Sequence, residues 1–303
     1  MPSTRSLLTA GSALAVVAVA TAAFSVTSAP PASGAAVAGG SAGIDRRVGG
    51  SAAVGNGRAR AYVLVDRATN APTEVGVAFD ERALEGLPTT GVGHHGGTGP
   101  VHQYLLPLPE GQATPFRFVE LNWNPMGHEP DGVYQDVPDF DFHFYTVSKA
   151  ERDAIVPSNP QYAAKANAVP TGDYVPPFTL QLGPPGAKPA DVAVPLMGVH
   201  WGDARSPELQ KLLGKPDAYR PFTRTFIHGS WDGRFHFWEP MVTRAHILAK
   251  KTATDPAVRD EVIPLPVPAR YHVPGHYPTA YRITWDARAR EYRIALTGLT
   301  KRG

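Results

Sequence analysis

Cysteine is absent from all 303 residues, which excludes a disulfide framework and any thiolate metal site. Net charge is almost absent too: 29 Lys and Arg face 27 Asp and Glu, for a formal charge of +2. A surface so close to neutral speaks against nucleic acid or anionic lipid as the main partner. A Ser-x-x-Lys pair and a phosphate loop are absent. The Gly-x-Ser-x-Gly match at Gly39–Gly43 and the Gly-x-Gly-x-x-Gly match at Gly91–Gly96 sit in the expected linker and in a Gly-rich loop, where neither marks a nucleophile elbow or a dinucleotide fingerprint. The commonest serine-nucleophile and nucleotide chemistries therefore have no signature here. Stability must come from an apolar core, a bound metal or subunit contacts. A small-molecule ligand and a homo-oligomer are the partners left open.

Residues 1–29 read as an export signal. Arg5 is their only charge, Leu7 to Phe24 is an uncharged run of mostly small apolar residues, and Thr27-Ser28-Ala29 suits cleavage. The run is thin in Leu and Ile and no basic stop-transfer cluster follows, so no stable membrane anchor is expected. The expected localisation is secreted, or extracytoplasmic. Residues 30–58 are Ala, Gly, Ser and Pro with few charges, the composition of a flexible linker. Residues 59–303 are expected to form one β-rich domain.

Within that domain, short alternating runs separated by turn residues predict about ten strands. Two are expected around Thr69-Asn70-Ala71-Pro72, a hairpin around Ser230-Trp231-Asp232-Gly233, and a final pair around Ala287–Ala289. Short helices are expected over "DERALEGLP", from the Ser148-x-x-Glu151 capping box through Ile155, over "SPELQKLLG", over Arg244–Lys251 and after Asp255-Pro256. Residues 156–190, rich in proline, read as a long covering loop with one helical turn at Gln161–Ala166. The expected fold is mainly β, an antiparallel β sandwich or barrel with a few short peripheral helices.

The chemistry concentrates in "VPDFDFHFYTV". Asp139, Asp141, His143 and Tyr145 share one face of this strand, and Phe140, Phe142 and Phe144 share the other. Without cysteine, a divalent ion takes imidazole and carboxylate ligands. Same-face neighbours on a strand lie about 7 Å apart, so Asp141 and His143 can share an ion. Asp139 and His143, about 13 Å apart, cannot, which sets Asp139 at the rim or behind a ligand. Further ligands are expected from His128 in "NPMGHEP", His200 in "LMGVHWGD" and Glu239 in "RFHFWEPM". Glu239 is placed on one face with Phe235 and Phe237, costly for a carboxylate unless it is paired, protonated or metal-bound. The alternatives are plainer. Asp139, Asp141 and His143 could face solvent, and Glu239 could pair with Arg224 or Arg234.

The expected centre thus contains His128, Asp141, His143, His200 and Glu239 around Zn²⁺, or around a redox metal such as Fe or Cu. Glu239 is either a ligand or a general base, Tyr145 could bind an oxyanion, and Asp203 could orient His200. Such a centre suits a metal-dependent enzyme, hydrolytic or oxidative, acting on a small substrate. The competing function is a non-catalytic ligand-binding or oligomeric scaffold protein with a structural polar cluster. His94 and His95, in a Gly-rich loop, are expected to be exposed.

The mixture of His and carboxylate on strands is similar to cupin-like metal sites in chemistry, without their His-x-His order. The blocks "NWNPMGHEPDGVY", "PDFDFHFY", "MGVHW", "FIHGSWDGRFHFWEPM" and "YPTAYRITWD" together resemble an uncharacterised family of exported bacterial β-rich proteins. Members of that family carry His where this chain has Asp139. The resemblance implies a compact extracytoplasmic β domain and an oligomer, and no reaction.

Overall fold

Phe140, Phe142 and Phe144 take alternate positions on one strand, and in the computed structural model all three enter a core shared by two sheets. The structure describes residues 43–90, 102–130 and 132–303. The expected export segment and the His94-His95 loop lie outside the described residues. No described helix is long and apolar enough to cross a membrane.

The strands are β1 (Ile44–Val54), β2 (Gly57–Asp66), β3 (Pro72–Asp80), β4 (His102–Pro107), β5 (Phe118–Asn124), β6 (Asp139–Tyr145), β7 (Thr179–Gln181), β8 (Val199–Asp203), β9 (Arg224–Trp231), β10 (Arg234–Thr243), β11 (Asp260–Pro264), β12 (Gly275–Tyr277), β13 (Ala280–Asp286), β14 (Glu291–Thr297) and β15 (Thr300–Arg302). One sheet has the order β1-β2-β3-β14-β13-β11, and the other β4-β5-β6-β10-β9-β8-β7. All their pairings are antiparallel. Val63, Val75, Val77, Ile283 and Ile294 from the first sheet meet Val119, Leu121, Trp123 and the three Phe of β6 from the second. This is a mainly β, sandwich-like fold, as the alternating pattern predicts.

Three expectations need correction. Ordered structure begins before Ala59, because β1 occupies Ile44–Val54 inside the expected linker and pairs along β2. Its Gly49-Gly50 pair, read as flexible, is an irregularity in the register where β1 closes on β4. A Cβ on Gly49 would stand 2.3 Å from the Pro107 carbonyl oxygen. The segment after β3 forms turns instead of a helix, because the Asp80 carboxylate is drawn to the backbone amide of Arg58 as well as that of Arg82. Past Ser206 only a single 3-10 turn forms, at Pro207–Leu209, with no side-chain cap.

The expected helices elsewhere are present. Helix α1 (Lys149–Asp153) has the full Ser148–Glu151 capping box, α2 (Tyr162–Asn167) is the turn in the covering loop, and α3 (Arg244–Thr252) and α4 (Pro256–Arg259) follow β10. The outer face of the seven-stranded sheet is covered. A second cluster joins Tyr145, Phe237, Met241 and Ile227 on the strands to Val133, Tyr134, Met197, Leu209 and Phe222 from the connecting segments. All seven residues of β6 are consequently buried. Its polar face looks into protein, not into water.

Candidate metal centre

Strand alternation places the donors. On β6, Asp139, Asp141 and His143 point to the covered face, and their cross-strand partners on β5 are Asn124, Asn122 and Glu120. On the other side, Phe237 pairs with Tyr145 and Met241 with Asp141, so Glu239 of β10 falls opposite His143. An irregularity of β10 between Phe235 and Phe237 changes the parity. Phe235 therefore joins the inter-sheet core with Trp238, and Phe237 stays on the face of Glu239. The expectation that Phe235 shares the face of Glu239 is corrected accordingly.

His200 comes from β8, two strands beyond β10, and pairs with Gly229 of β9. Gly229 leaves room for the Phe237 ring, which packs edge-on against both His143 (5.0 Å between centroids) and His200 (5.4 Å). Gly198 has φ +82°, and a Cβ there would stand 2.4 Å from the Ser230 carbonyl oxygen. The glycine before His200 thus serves the close backbone approach its sequence context suggests. His128 reaches the cluster from the turn after β5, beside Tyr134.

The donor atoms gather as two triads. One atom from each of His143, His200 and Glu239 lies within 4.8 Å of the others, and the same holds for His128, Asp139 and Asp141. His143 Nε2 stands 3.1 Å from Glu239 Oε1. His128 Nε2 stands 3.7 Å from both Asp139 Oδ2 and Asp141 Oδ1. Two ligands bound at about 2.1 Å to one ion stand about 3.0 to 3.6 Å apart for bond angles of about 90 to 120°. The His143–Glu239 separation of 3.1 Å falls in that range and the two His128–carboxylate separations of 3.7 Å lie at its upper edge, while the remaining donor pairs lie within 4.8 Å.

Two of the three clustered imidazoles, those of His128 and His143, are held in fixed orientations. His128 Nδ1 donates to the Glu129 carbonyl (2.7 Å) and His143 Nδ1 to the Glu120 carbonyl (3.3 Å), which turns each Nε2 toward the carboxylates.

The five expected metal residues divide between the two groups, His143, His200 and Glu239 in one and His128 and Asp141 in the other. Asp141 and His143, expected to share an ion, are thus separated, and Asp139 joins the second group. The strand spacing that separates Asp139 from His143 is sound. What it misses is that His128 approaches from the turn and meets Asp139 directly.

The plainer alternatives do not hold. Arg224 pairs with Glu261 and Arg234 with Glu151, and neither reaches Glu239. Asp203 is held by Arg205, and alternation puts it on the opposite face of β8 from His200, so it does not orient that ring. Tyr145 donates its hydroxyl to the Leu196 carbonyl (3.3 Å), a use that competes with binding an oxyanion. Sequence reasoning passed over Glu120, Asn122 and Asn124, although "VELNWN" has the same alternation as β6. Glu120 is ion-paired with the buried Arg152 of α1. Asn124 Nδ2 donates to Asp141 Oδ2 (2.7 Å).

Beyond the Glu120–Arg152 pair, charge in this interior is not balanced by Lys or Arg among the described residues. Among the described residues no Lys or Arg ion pair reaches Asp139, Asp141 or Glu239, and the charged partner of Glu239 is His143. Burial, with Asp141 beside it, pushes the Asp139 carboxyl well above the usual range, and burial likewise raises Glu239. Burial would raise Asp141 too, but the adjoining His128 and His143 hold it well below. Burial works to lower His143, yet Glu239 beside it pushes the imidazole up to about 9. Burial, reinforced by the charges of His143 and His128, pushes His200 down to about 3. Carboxyls that resist ionisation and an imidazole kept neutral follow from burial of a cluster poor in positive charge.

A family model described as TTHB210-like, for the hypothetical protein TTHB210, matches residues 70–123. No curated protein and no solved structure matches the chain. The matched stretch runs from the turn before β3 through most of β5 and includes Glu120 and Asn122, while His128, Asp139, Asp141, His143, His200 and Glu239 all lie beyond it. Over that stretch the chain is similar to a family of hypothetical proteins.

Proposed function

We propose that this chain is an exported metal-binding β protein whose His143, His200 and Glu239 hold a divalent cation, Zn²⁺ or a redox metal such as Fe or Cu. The observation that carries the reading is Glu239. It is a fully buried carboxylate with no Lys or Arg pair, and it stands at ligand spacing from an imidazole whose other nitrogen is already engaged. His143 answers part of that charge at 3.1 Å, and a cation held between the two groups would offset the remaining desolvation cost of burying the carboxylate. The Arg5-led apolar run of residues 1–29 supports export.

Two imidazoles and one carboxylate are the donor set of many catalytic Zn²⁺ and non-haem Fe²⁺ sites, in which open positions take water or a small substrate. A metal-dependent hydrolytic or oxidative reaction is the activity this set suits. One observation favours the second reading, a closed centre in a non-catalytic scaffold. The cleft of about 750 Å³ lined by Phe116, Arg117, Trp238 and Tyr271 and the cavity of about 290 Å³ near His228 have no wall from either triad.

Elemental analysis of the purified mature protein tests the proposal. Bound metal is expected in the wild type, with one equivalent lost in His200→Gln and an unchanged circular dichroism spectrum. Wild-type protein that takes up no metal from Zn²⁺, Fe²⁺ or Cu²⁺ solutions would refute it.

A further inference from the structure

The second triad has a donor chemistry of its own. His128 contributes one imidazole nitrogen against two carboxylates, Asp139 and Asp141, whereas the first triad has two imidazoles and one carboxylate. Asp139 is fully buried and Asp141 is 2% exposed. Asp139 Oδ1 and Asp141 Oδ1 have no hydrogen-bond partner among the described residues, and no Lys or Arg pairs with either group.

The flanking amides point the same way. Asn124 donates its Nδ2 to Asp141 Oδ2 (2.7 Å) and more loosely to Asp139 Oδ2 (3.5 Å), which leaves its Oδ1 buried and without a hydrogen-bond partner among the described residues. Asn122, opposite Asp141 in the register, is fully buried, and neither of its amide atoms has a partner among the described residues. Buried polar atoms without partners are costly, and several in one place mark a missing occupant. Water can answer an amide. Two adjoining buried carboxylates call for positive charge.

We propose that His128, Asp139 and Asp141 form a second divalent-cation site beside the first, and that its oxygen-rich donors select a harder ion of the Mn²⁺ or Mg²⁺ type. This deepens the metal-centre reading above and rests on it. The two triads are separate groups of mutually close donor atoms, and neither group holds both Asp141 and His143. The centre is therefore a pair of neighbouring sites, one rich in nitrogen and one rich in oxygen. Carboxylate and amide oxygens suit Mn²⁺ and Mg²⁺, and imidazole suits Zn²⁺ and Fe²⁺.

The test uses full-length mature protein stripped with a chelator and reloaded with Zn²⁺ and Mn²⁺ together, read by elemental analysis and by the Mn²⁺ electron paramagnetic resonance signal. Wild type is expected to hold two equivalents, one of each metal. Asp139→Asn, which keeps the volume and removes the charge, is expected to lose the Mn²⁺ and keep the Zn²⁺. His200→Gln should do the reverse. A wild type that binds one equivalent, lost in His200→Gln and unchanged in Asp139→Asn, overturns the second site and leaves the first intact. One equivalent abolished by either variant overturns it in favour of a single shared ion. No metal in the wild type overturns both proposals.

Discussion

Gly229 sets how closely β9 can lie to the Phe237 ring that separates the His143 and His200 imidazoles, and replacing it with alanine should show how tightly this cluster is packed. A Cβ at this position would stand 1.8 Å from Phe237 Cε1 and 2.1 Å from Cζ. Ordinary carbon contacts begin near about 3.5 Å, so the ring would have to retreat by roughly 1.5 Å. It has little room to do so, because His143, His200 and Tyr145 surround it at centroid distances of 5.0, 5.4 and 5.3 Å. Overpacking of this kind costs about 1 to 3 kcal/mol, and the absence of a free direction puts Gly229→Ala near the upper figure. For a domain of this size that lowers Tm by about 6 to 10 °C. The displaced ring should push His143 and His200 apart and weaken metal binding as well. Urea unfolding of Gly229→Ala, Phe237→Leu and the double variant forms a closed cycle. Leucine relieves the clash, so the coupling is expected to exceed about 1 kcal/mol in the rescuing direction. A Gly229→Ala protein within about 0.5 kcal/mol of wild type, or strictly additive effects, would refute the packing argument.

Arg152→Gln leaves Glu120 buried without its ion pair and should destabilise the domain by about 3 to 5 kcal/mol. The Glu120→Gln/Arg152→Gln double variant should recover much of that loss in chemical unfolding, and failure to recover would mean the pair is not what holds α1 to β5. The metal-free protein should show a two-sided pH profile. His143, raised to about 9 in the folded state against burial by the adjoining Glu239, contributes stability present below its unfolded pKa and lost as pH rises through 9. His200, lowered to about 3 by burial and neighbouring imidazoles, contributes stability present above its unfolded pKa and lost as pH falls toward 3. Unfolding free energy should therefore peak near about pH 6.5, with His143→Gln flattening the alkaline limb. A metal-free protein of constant stability from pH 7 to 9.5 contradicts the His143–Glu239 pairing.

The period-two pattern made the fold and much of the centre readable. Phe140, Phe142 and Phe144 announce a core face, and the residues between them announce whatever lies opposite. Alternation cannot say whether that opposite face is wet. The answer depends on Tyr134, Met197 and Phe222, which arrive from irregular segments with no periodicity of their own. The same blindness hid Asp139: its spacing along the strand is legible, but the arrival of His128 from a turn is not. Glu120, Asn122 and Asn124 could have been found by applying to β5 the reasoning used for β6. The strand β1 escaped because edge strands need little burial, and its Ala, Gly and Arg residues have the composition of a tether. The misplacement of Phe235 comes from one irregularity in β10, and a local change of parity leaves no mark in the residue types.

One strand holds both the hydrocarbon that joins the two sheets and the donors that gather in the covered layer. Sliding β6 by a single residue would thrust Asp141 among the aromatic rings and turn Phe142 toward His128, an exchange ruinous on both sides. The oily half of the strand thereby acts as a lock on the alignment of the polar half. An inserted or deleted residue within β6 would misplace both faces beyond the point of change, whereas exchanging one side chain for another at a fixed station leaves the alignment intact.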